Sequence, residues 1–216
     1  MRHVIRGAVV TALAAALLTG CAGEKESSDD PKARSTGPTQ TPSAASGAPA
    51  AKAHGTVGAA GSACPLPVVF ATADQWKAKP FKLDGTALDA LAKQGPFTLA
   101  CEIDAKPAGN IGFLRAWTSS LRGGTPRAAL TAFVATEKNA RKATYTDIKA
   151  GSLPAAEVVY ETYSELLEES KQGHALAVTT PSGAVVLHLG GLDTDEHKGM
   201  LPAYELAKSS LRVNSR

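Results

Sequence analysis

Three cysteines are the residues of this chain with the widest choice of chemistry: Cys21, Cys64 and Cys101. A cysteine can form a disulfide, act as a redox thiol, ligate a metal or carry a lipid. Cys21 stands near the N-terminus in the stretch LLTGCAGE, and the other two lie well inside the chain. The residues around each cysteine decide which of these chemistries is open to it.

The start of the chain has the order of a secretory signal peptide. Arg2, His3 and Arg6 form a short basic beginning, and the uncharged run from Ala8 to Leu18 follows. This run is much shorter than the roughly 20 residues that a membrane-spanning helix needs. A charged start, a short apolar run and small residues before a cut are typical of an exported protein. We therefore predict a signal peptide over residues 1–20.

The end of this leader differs from an ordinary cleavage site. Leu18-Thr19-Gly20-Cys21 resembles the lipobox of bacterial lipoproteins, in which an apolar residue and two small residues precede an invariant cysteine. The resemblance implies that the Cys21 thiol receives a diacylglyceryl group and that Cys21 becomes the mature N-terminus. Two acyl chains hold a protein on a membrane, whereas one chain binds weakly. The expected location is the outer face of a bacterial cell membrane.

Cys64 and Cys101 remain after Cys21 is assigned to the lipid. An exported protein with two further cysteines usually pairs them, so we predict a structural disulfide. A redox pair or metal ligands are the alternatives. The chain has no Cys-x-x-Cys motif, and two isolated cysteines do not make a zinc site.

The spacings that mark common catalytic sites are missing from the sequence. Gly-x-Ser-x-Gly, Ser-x-x-Lys, His-Glu-x-x-His, the Walker loop and Gly-x-Gly-x-x-Gly do not occur. His188 lies within an alternating strand pattern, so we expect it to be hydrogen-bonded or exposed rather than catalytic. We therefore predict a protein that is not an enzyme and uses no cofactor.

The densest polar stretch is GGLDTDEHKG, at residues 190–199. Its acidic and imidazole side chains are Asp193, Asp195, Glu196 and His197. Such side chains could hold a cation, but the stretch departs from the EF-hand loop at positions 6 and 12. We interpret it as a polar loop that leads into the last helix, with Asp193 or Thr194 capping a short turn, and predict no metal site.

Arg122 and Arg127 flank a glycine pair and the start of a predicted helix at Thr125. The free amides of a helix N-terminus favour an anion, so these two arginines are candidate anion-binding residues. The alternative is an ordinary connection between a strand and a helix. A separate run of glutamates, Glu161, Glu165, Glu168 and Glu169, is expected to be a solvated strand end and loop.

Residues 21–62 have the composition of a tether between the lipid and a folded domain. Residues 22–62 contain no Leu, Ile, Phe, Trp or Tyr, so we predict disorder. The chain as a whole carries 23 basic and 20 acidic residues, a net charge of +3. This balance gives no basic footprint for nucleic acid.

Residues 63–216 have the length of one domain, and their pattern predicts an α+β fold with an antiparallel sheet flanked by helices. Apolar alternation predicts strands at 67–72, 96–105, 111–120, 155–166, 173–182 and 184–192. Phe97, Leu99, Cys101 and Ile103 are expected on one face of their strand. Helices are predicted at 85–95, from Thr125 onward, and at 200–213 with Pro202 in the first turn.

The order of a hairpin, a helix, further strands and a terminal helix resembles the PsbP/Mog1-type α/β/α sandwich. The whole layout is similar to actinobacterial lipoproteins of the LpqN type. Three segments carry the likeness: PSGAVVLHLGGLD, LPAAEVVYETY and AYELAKSSLRV. The resemblance implies a small partner-binding module and transfers no functional residue.

These features together predict a lipid-anchored, non-enzymatic domain that binds an envelope protein or a cell-wall component. A lipid or small-ligand carrier, with a pocket between sheet and helices, is the second hypothesis. An envelope hydrolase with an unrecognised site is the third. A single apolar cleft of unusual size on the domain would indicate where binding occurs.

Overall fold

Eleven strands and two α-helices lie within residues 49–214, which are the residues that the computed structural model describes. The strands are β1 (Ala53–Val57), β2 (Val68–Ala73), β3 (Lys77–Pro80), β4 (Lys93–Gln94), β5 (Phe97–Asp104), β6 (Gly112–Ser119), β7 (Ala140–Ala150), β8 (Leu153–Ser164), β9 (Glu169–Thr180), β10 (Gly183–Gly191) and β11 (Arg212–Val213). The helices are α1 (Pro126–Val134) and α2 (Thr194–Ser209), with short 3-10 helices at Ala87–Ala92 and Lys106–Ala108. Neither α-helix, nor any other helix in this part of the chain, is long and apolar enough to cross a membrane.

The strands form two sheets, and within each sheet every pair of neighbouring strands is antiparallel. The large sheet has eight strands in the order β3-β5-β6-β10-β9-β8-β7, with β4 beside β5. The small sheet has the order β1-β2-β11. The prediction of an antiparallel sheet accompanied by helices is therefore confirmed.

The two faces of the large sheet are covered by different elements. On one face, which we call the closed face, buried side chains such as Leu187 and Leu189 pack with residues of α2 and of the small sheet. On the other, which we call the open face, Val158 and Val186 pack with α1. α1 is only nine residues long, so it covers part of this face.

Both α-helices begin at a polar cap. The Thr125 hydroxyl accepts from the Ala128 N–H at 3.1 Å, which confirms the predicted start of α1. The Asp193 carboxylate accepts from the N–H groups of Asp195 and Glu196 at 2.9 and 2.8 Å, and so starts α2. The prediction that the last helix begins near Pro202 is therefore wrong. Pro202 lies inside α2, and the strong cap at Asp193 sets the helix start instead.

The C-terminal end of the last helix was also predicted incorrectly. Residues up to 213 were expected to be helical, but α2 ends at Ser209, and Arg212 and Val213 pair with β2.

The sequence prediction did not include β7, whose side chains are mostly exposed. An exposed edge strand lacks the apolar alternation on which the strand predictions depend.

A bulge in β5 changes which residues share a face. The pairing with β6 shifts register between Leu99 and Cys101. Phe97 and Leu99 belong to the core of the open face, whereas Cys101 and Ile103 belong to the core of the closed face. The prediction that all four share one face is therefore wrong, because a bulge reverses the alternation of the strand. As a consequence, Glu102 lies on the open face.

The predicted boundary between the tether and the domain at residue 62 is wrong. Residues 53–57 form β1 and pair with β2, although four of these five residues are exposed. Backbone hydrogen bonds hold this strand, so a composition poor in apolar residues did not reveal it. The predicted signal peptide, Cys21 and residues 22–48 of the predicted tether lie outside the described residues.

Cys64 and Cys101 form a disulfide, with their Cα atoms 5.8 Å apart. Both residues are buried in the core of the closed face. The bond therefore joins the segment that follows β1 to β5, next to one edge of the large sheet.

Candidate functional site

An open groove of about 610 Å³ lies on the open face, beyond the C-terminal end of α1. Side chains of β4, β5, β6, β8, β9 and β10 line it, together with Phe81, Leu91 and Glu137 from the segments around it. This volume is within the range of small-molecule binding sites. Leu130, Phe133 and Val134 of α1 are buried against the sheet, so the groove is a surface cleft beside α1 and differs from the pocket between sheet and helices that the carrier hypothesis expected.

Glycines form the floor of the groove. Gly173 on β9 and Gly190 on β10 are direct cross-strand partners. A Cβ atom at Gly173 would lie 2.9 Å from the Tyr160 ring, so only glycine lets this ring lie across the neighbouring strand. A Cβ atom at Gly190 would meet only His188, at 3.7 Å. The missing side chains give the groove its depth.

One wall of the groove carries an ion pair. Arg115 Nε donates to Glu102 Oε1 at 2.8 Å, and the Arg115 guanidinium lies 4.9 Å from the centre of the Phe113 ring. The bulge in β5 makes this pair possible, since it places Glu102 on the open face beside Arg115. The charge of Arg115 is therefore neutralised and its side chain is held against an aromatic ring.

A tyrosine and a histidine meet at the bottom of the groove. The Tyr160 hydroxyl and His188 Nε2 are 2.9 Å apart. Burial raises the pKa of Tyr160, and burial together with the nearby Arg115 charge lowers the pKa of His188 to about 3. Both groups are therefore uncharged at neutral pH. The expectation that His188 is a hydrogen-bonded strand residue is confirmed.

Two buried nitrogen atoms on the groove have no hydrogen-bond partner within residues 49–214: Trp117 Nε1 and His188 Nδ1. Trp117 is only 5% exposed. An indole nitrogen is always a donor, and His188 Nδ1 is a donor whenever the Tyr160 hydroxyl donates to Nε2. A buried polar group without a partner costs about 1–3 kcal/mol. Both residues line the groove, so a hydrogen-bond acceptor that reaches these atoms would remove this cost.

Glu137 also lines the groove, and its charge acts on Tyr160. Gln94 Nε2 donates to Glu137 Oε2 at 3.0 Å and to the Phe133 carbonyl at 3.2 Å. Burial raises the pKa of the Glu137 carboxyl. When ionised, the Glu137 carboxylate repels an anionic ligand, so this part of the groove favours an uncharged acceptor.

The mouth of the groove carries exposed apolar side chains. Leu91, Ile111 and Leu192 line it and are 73%, 54% and 58% exposed. Single exposed leucines are common on protein surfaces, but three around one cleft extend its apolar lining. The groove therefore combines an uncharged polar bottom with an apolar mouth.

The sequence candidates for anion binding lie away from the groove. Arg127 Nε donates to Asp147 Oδ1 at 2.9 Å, and its guanidinium is 5.9 Å from the centre of the Tyr145 ring. Arg122 is exposed in the connection before α1. The charge of Arg127 is thus already paired, and the geometry favours the ordinary connection between strand and helix.

The polar stretch at residues 190–199 forms the start of α2. Asp193 caps the helix, Asp195 pairs with Lys198 at 3.1 Å, and the Ile111 N–H donates to Glu196 Oε2 at 2.9 Å. Within residues 49–214, no three side chains of His, Cys, Asp or Glu lie together as metal ligands would. The carboxylates of this stretch therefore hold the helix and its neighbouring loop.

His197 is fully buried on the closed face. Its Nε2 lies 2.7 Å from Nδ1 of His174, and the two rings stack with centres 4.8 Å apart. Burial, together with the His174 charge, lowers the pKa of His197 to about 4, and burial also lowers the pKa of His174. This pair lies on the opposite side of the sheet from the groove.

Sequence reasoning did not find the groove. Its residues come from six strands and the segments around them, and glycines form its floor. One signal was present: Gly173 and Gly190 lie inside strands, and a glycine inside a strand often marks the close approach of another group.

The residues from 34 to 211 match a family model whose description is uncharacterised lipoprotein. No curated protein matches the chain in sequence. Among solved structures, the chain is similar to the solution structure of cyanobacterial PsbP (CyanoP) from Synechocystis sp. PCC 6803. The identity is 12% and the TM-score 0.48, and the similarity covers 68% of this chain and 86% of that chain.

Proposed function

The chain belongs to a family of uncharacterised lipoproteins, and from this premise we propose that it is a membrane-anchored binding protein of the cell envelope. Its anchor is a diacylglyceryl group on Cys21, and its domain faces outward from the cell membrane. The layout of lipobox, Ala/Pro/Ser-rich segment and single domain supports an actinobacterial lipoprotein of the LpqN type.

Replacement of the proposed lipid-bearing cysteine tests the anchor. Without the thiol there is no acceptor for the lipid, so Cys21→Ser releases the protein from membranes or leaves the signal peptide uncut. Fractionation of the producing cells, followed by immunoblotting, measures both results. A Cys21→Ser protein that stays on the membrane and is processed normally contradicts the proposed anchor.

The groove is the proposed binding site, and the two partnerless nitrogen atoms on it are the observation that carries this proposal. Trp117 Nε1 and His188 Nδ1 are buried and lie on one cleft. Apolar side chains line the opening of the cleft, and glycines form its base. An extended, partly apolar envelope component with an uncharged carbonyl or hydroxyl oxygen satisfies both the donors and the apolar lining.

The proposed role is binding without catalysis. A general acid or base works best with a pKa near the working pH. The pKa of His188 is about 3, and that of Tyr160 is raised, so both groups are poorly placed to exchange protons at neutral pH. Arg115 is paired with Glu102. These groups are suited to recognising a ligand.

A groove-filling substitution tests the binding site. Gly190→Leu places a side chain on the floor, where a Cβ atom has room and the backbone needs no left-handed conformation. The matched control is Gly124→Leu, in an exposed connection where no atom lies within 4 Å of a new Cβ. Native mass spectrometry of the full-length chain, purified from its own membranes, measures any bound component.

We expect a bound mass on the wild-type chain and on Gly124→Leu, and its loss from Gly190→Leu. If Gly190→Leu retains the same mass at the same occupancy, the groove is not the site. If purified wild-type protein instead converts an added envelope extract to new products, the non-enzymatic role is wrong.

The volume of the groove also favours a second role, as a carrier of a lipid or another small ligand. A cleft of about 610 Å³ suits such a ligand. A carrier releases its ligand to acceptor membranes, whereas a stable binding module retains it. Transfer of the bound mass from the protein to added vesicles distinguishes these two roles.

A further inference from the structure

The hairpin of β8 and β9 projects beyond the end of β10, and β7 accompanies it on its other side as far as Thr162. β9 pairs with β10 as far as Gly173, whereas β8 and β9 remain paired to Ser164 and Glu169. These four additional residue pairs extend the hairpin by about 14 Å at roughly 3.4 Å per residue. The turn at its tip carries Leu166 and Leu167, which are 91% and 62% exposed. Two adjacent exposed leucines at a projecting tip are a surface that a partner can cover.

The same end of the sheet carries the start of α2. The Thr194 hydroxyl donates to the Ser170 carbonyl at 3.4 Å, which joins α2 to the hairpin. Next to it, the Leu192 N–H donates to the Ile111 carbonyl at 3.0 Å. The exposed leucines of the tip and the apolar mouth of the groove therefore lie at one end of the molecule, which we call the acidic end.

Carboxylates surround the apolar side chains of the acidic end. They are Glu165, Glu168 and Glu169 on the hairpin and Asp193, Asp195 and Glu196 at the start of α2. None of the three hairpin glutamates is in an ion pair with another described residue. The basic side chains of these two segments are Lys171 and Lys198, and Lys198 is paired with Asp195. On the neighbouring strand β7, Arg141 and Lys142 are paired with Glu161 of β8. This end is therefore acidic, although the whole chain has a net charge of +3.

We infer that the acidic end is a docking surface for a partner protein that has an apolar pocket bordered by lysine or arginine. Leu166 and Leu167 fill the pocket, and the hairpin glutamates face the basic border. Complementary charge speeds association and fixes orientation. The same charge opposes docking on anionic lipid, and a symmetric contact with a second copy would bring carboxylates against carboxylates.

This surface extends the proposed binding function to a second ligand and is separable from it. Leu166 and Leu167 are outside the residues that line the groove. A substitution at Gly190 therefore blocks the groove without changing the tip of the hairpin. A failure of either proposal can be recognised without reference to the other.

Photo-crosslinking of the full-length chain in the cells that produce it tests the inference. A benzophenone amino acid replaces Leu166 in one variant and Leu121 in the control. Leu121 is also an exposed leucine, at 60%, but it follows the opposite end of β6. Each variant is also made in two further forms. In one form Glu165, Glu168 and Glu169 are all changed to glutamine, and in the other all three are changed to lysine. Circular dichroism verifies that every variant is folded.

We expect one protein adduct from position 166 and none from position 121. Its yield falls about tenfold or more with the lysine changes, falls less with the glutamine changes, and is unaffected by Gly190→Leu. The purified partner then binds the wild-type chain more weakly as salt concentration rises. An adduct with lipid alone, an adduct with a second copy, an adduct indifferent to the charge changes, or no adduct at position 166 overturns the inference.

Discussion

The closed and open faces of the large sheet use the same strands for different purposes. On β10, Leu187 and Leu189 point to the closed face and are fully buried, whereas His188 and Gly190 point to the open face and line the groove. α2 and the small sheet pack with the closed face. On the open face, α1 ends at Val134 and the groove lies beyond it.

The difference between the faces shows how one sheet can hold a fold together and still offer a site. On the closed face, adjacent strands contribute large apolar side chains that meet a covering layer. Beyond α1 on the open face, the same strands contribute glycine, polar and aromatic residues that leave a cleft.

Removal of the disulfide has the largest expected effect on stability. Cys64 and Cys101 are 37 positions apart, and closing a loop of this size stabilises a fold by about 4 kcal/mol. The double change Cys64→Ala and Cys101→Ala lowers the free energy of unfolding by up to this amount, as measured by urea denaturation. A reducing agent should have the same effect on the wild-type chain and none on the double variant. Equal stability of both proteins under oxidising conditions contradicts the expectation.

Adjacent residues of β10 should respond in opposite ways. Leu189→Ala leaves a cavity in the closed face and costs about 3 kcal/mol, a central value for buried leucines. Gly190→Leu enters the groove and changes the free energy of unfolding by less than about 1 kcal/mol. Urea denaturation measures both changes. A large loss with Gly190→Leu would mean that the groove is part of the packed core.

Acid should weaken the closed face through its histidine pair. The pKa of His197 is about 4 in the folded chain, against about 6.5 for an exposed histidine. Between these values the unfolded chain binds a proton that the folded chain does not, so stability falls as the pH falls. The slope is at most about 1.4 kcal/mol per pH unit for one histidine.

His197→Gln tests this origin of the slope. The neighbouring charged or titratable groups that affect the pair are Glu157, His174, Tyr204, Glu205 and Lys208. His174 is bonded to His197, so the difference between the two slopes reports the histidine pair, while the other neighbouring groups are unchanged in the variant. The free energy of unfolding, measured by thermal or urea unfolding at several pH values from 4 to 7, should depend less on pH in the variant than in the wild-type chain. Identical slopes would assign the acid sensitivity to other groups.

The smallest expected effect belongs to the ion pair on the groove wall. Arg115 and Glu102 are 34% and 27% exposed, and partly exposed pairs of this kind stabilise a fold by less than about 1 kcal/mol. A double-mutant cycle with Arg115→Met and Glu102→Gln measures the coupling. A coupling energy of several kcal/mol would mean that the pair has a structural role rather than a role at the groove.

The sequence predicted the buried parts of the fold better than the exposed parts. Strands with apolar alternation, such as β8 and β10, and the capped start of α1 at Thr125 follow from local rules that the sequence displays. β1 and β7 are mostly exposed and are held by backbone pairing, which leaves little trace in residue type. The bulge in β5 depends on its neighbour β6 and is invisible in a single strand.

The candidate site was largely beyond sequence reasoning, for a related physical reason. His188 could be assigned to a strand, but its partner Tyr160 lies 28 positions away on a strand that is not adjacent. Glu102 and Arg115 meet only because the bulge places them on one face. A groove is defined by what several strands leave empty together, and no local pattern records that.

The two tryptophans allow the most direct test of the central claim, that the open face binds a ligand. Trp117 lies on the groove, and Trp76 is buried in the core of the closed face. In a Trp76→Phe variant, fluorescence therefore reports from the groove alone. We predict that an organic extract of the cell envelope shifts this emission, and that adding Gly190→Leu abolishes the shift. Emission that does not respond to the extract, or a response that survives Gly190→Leu, would show that the groove is not the binding site.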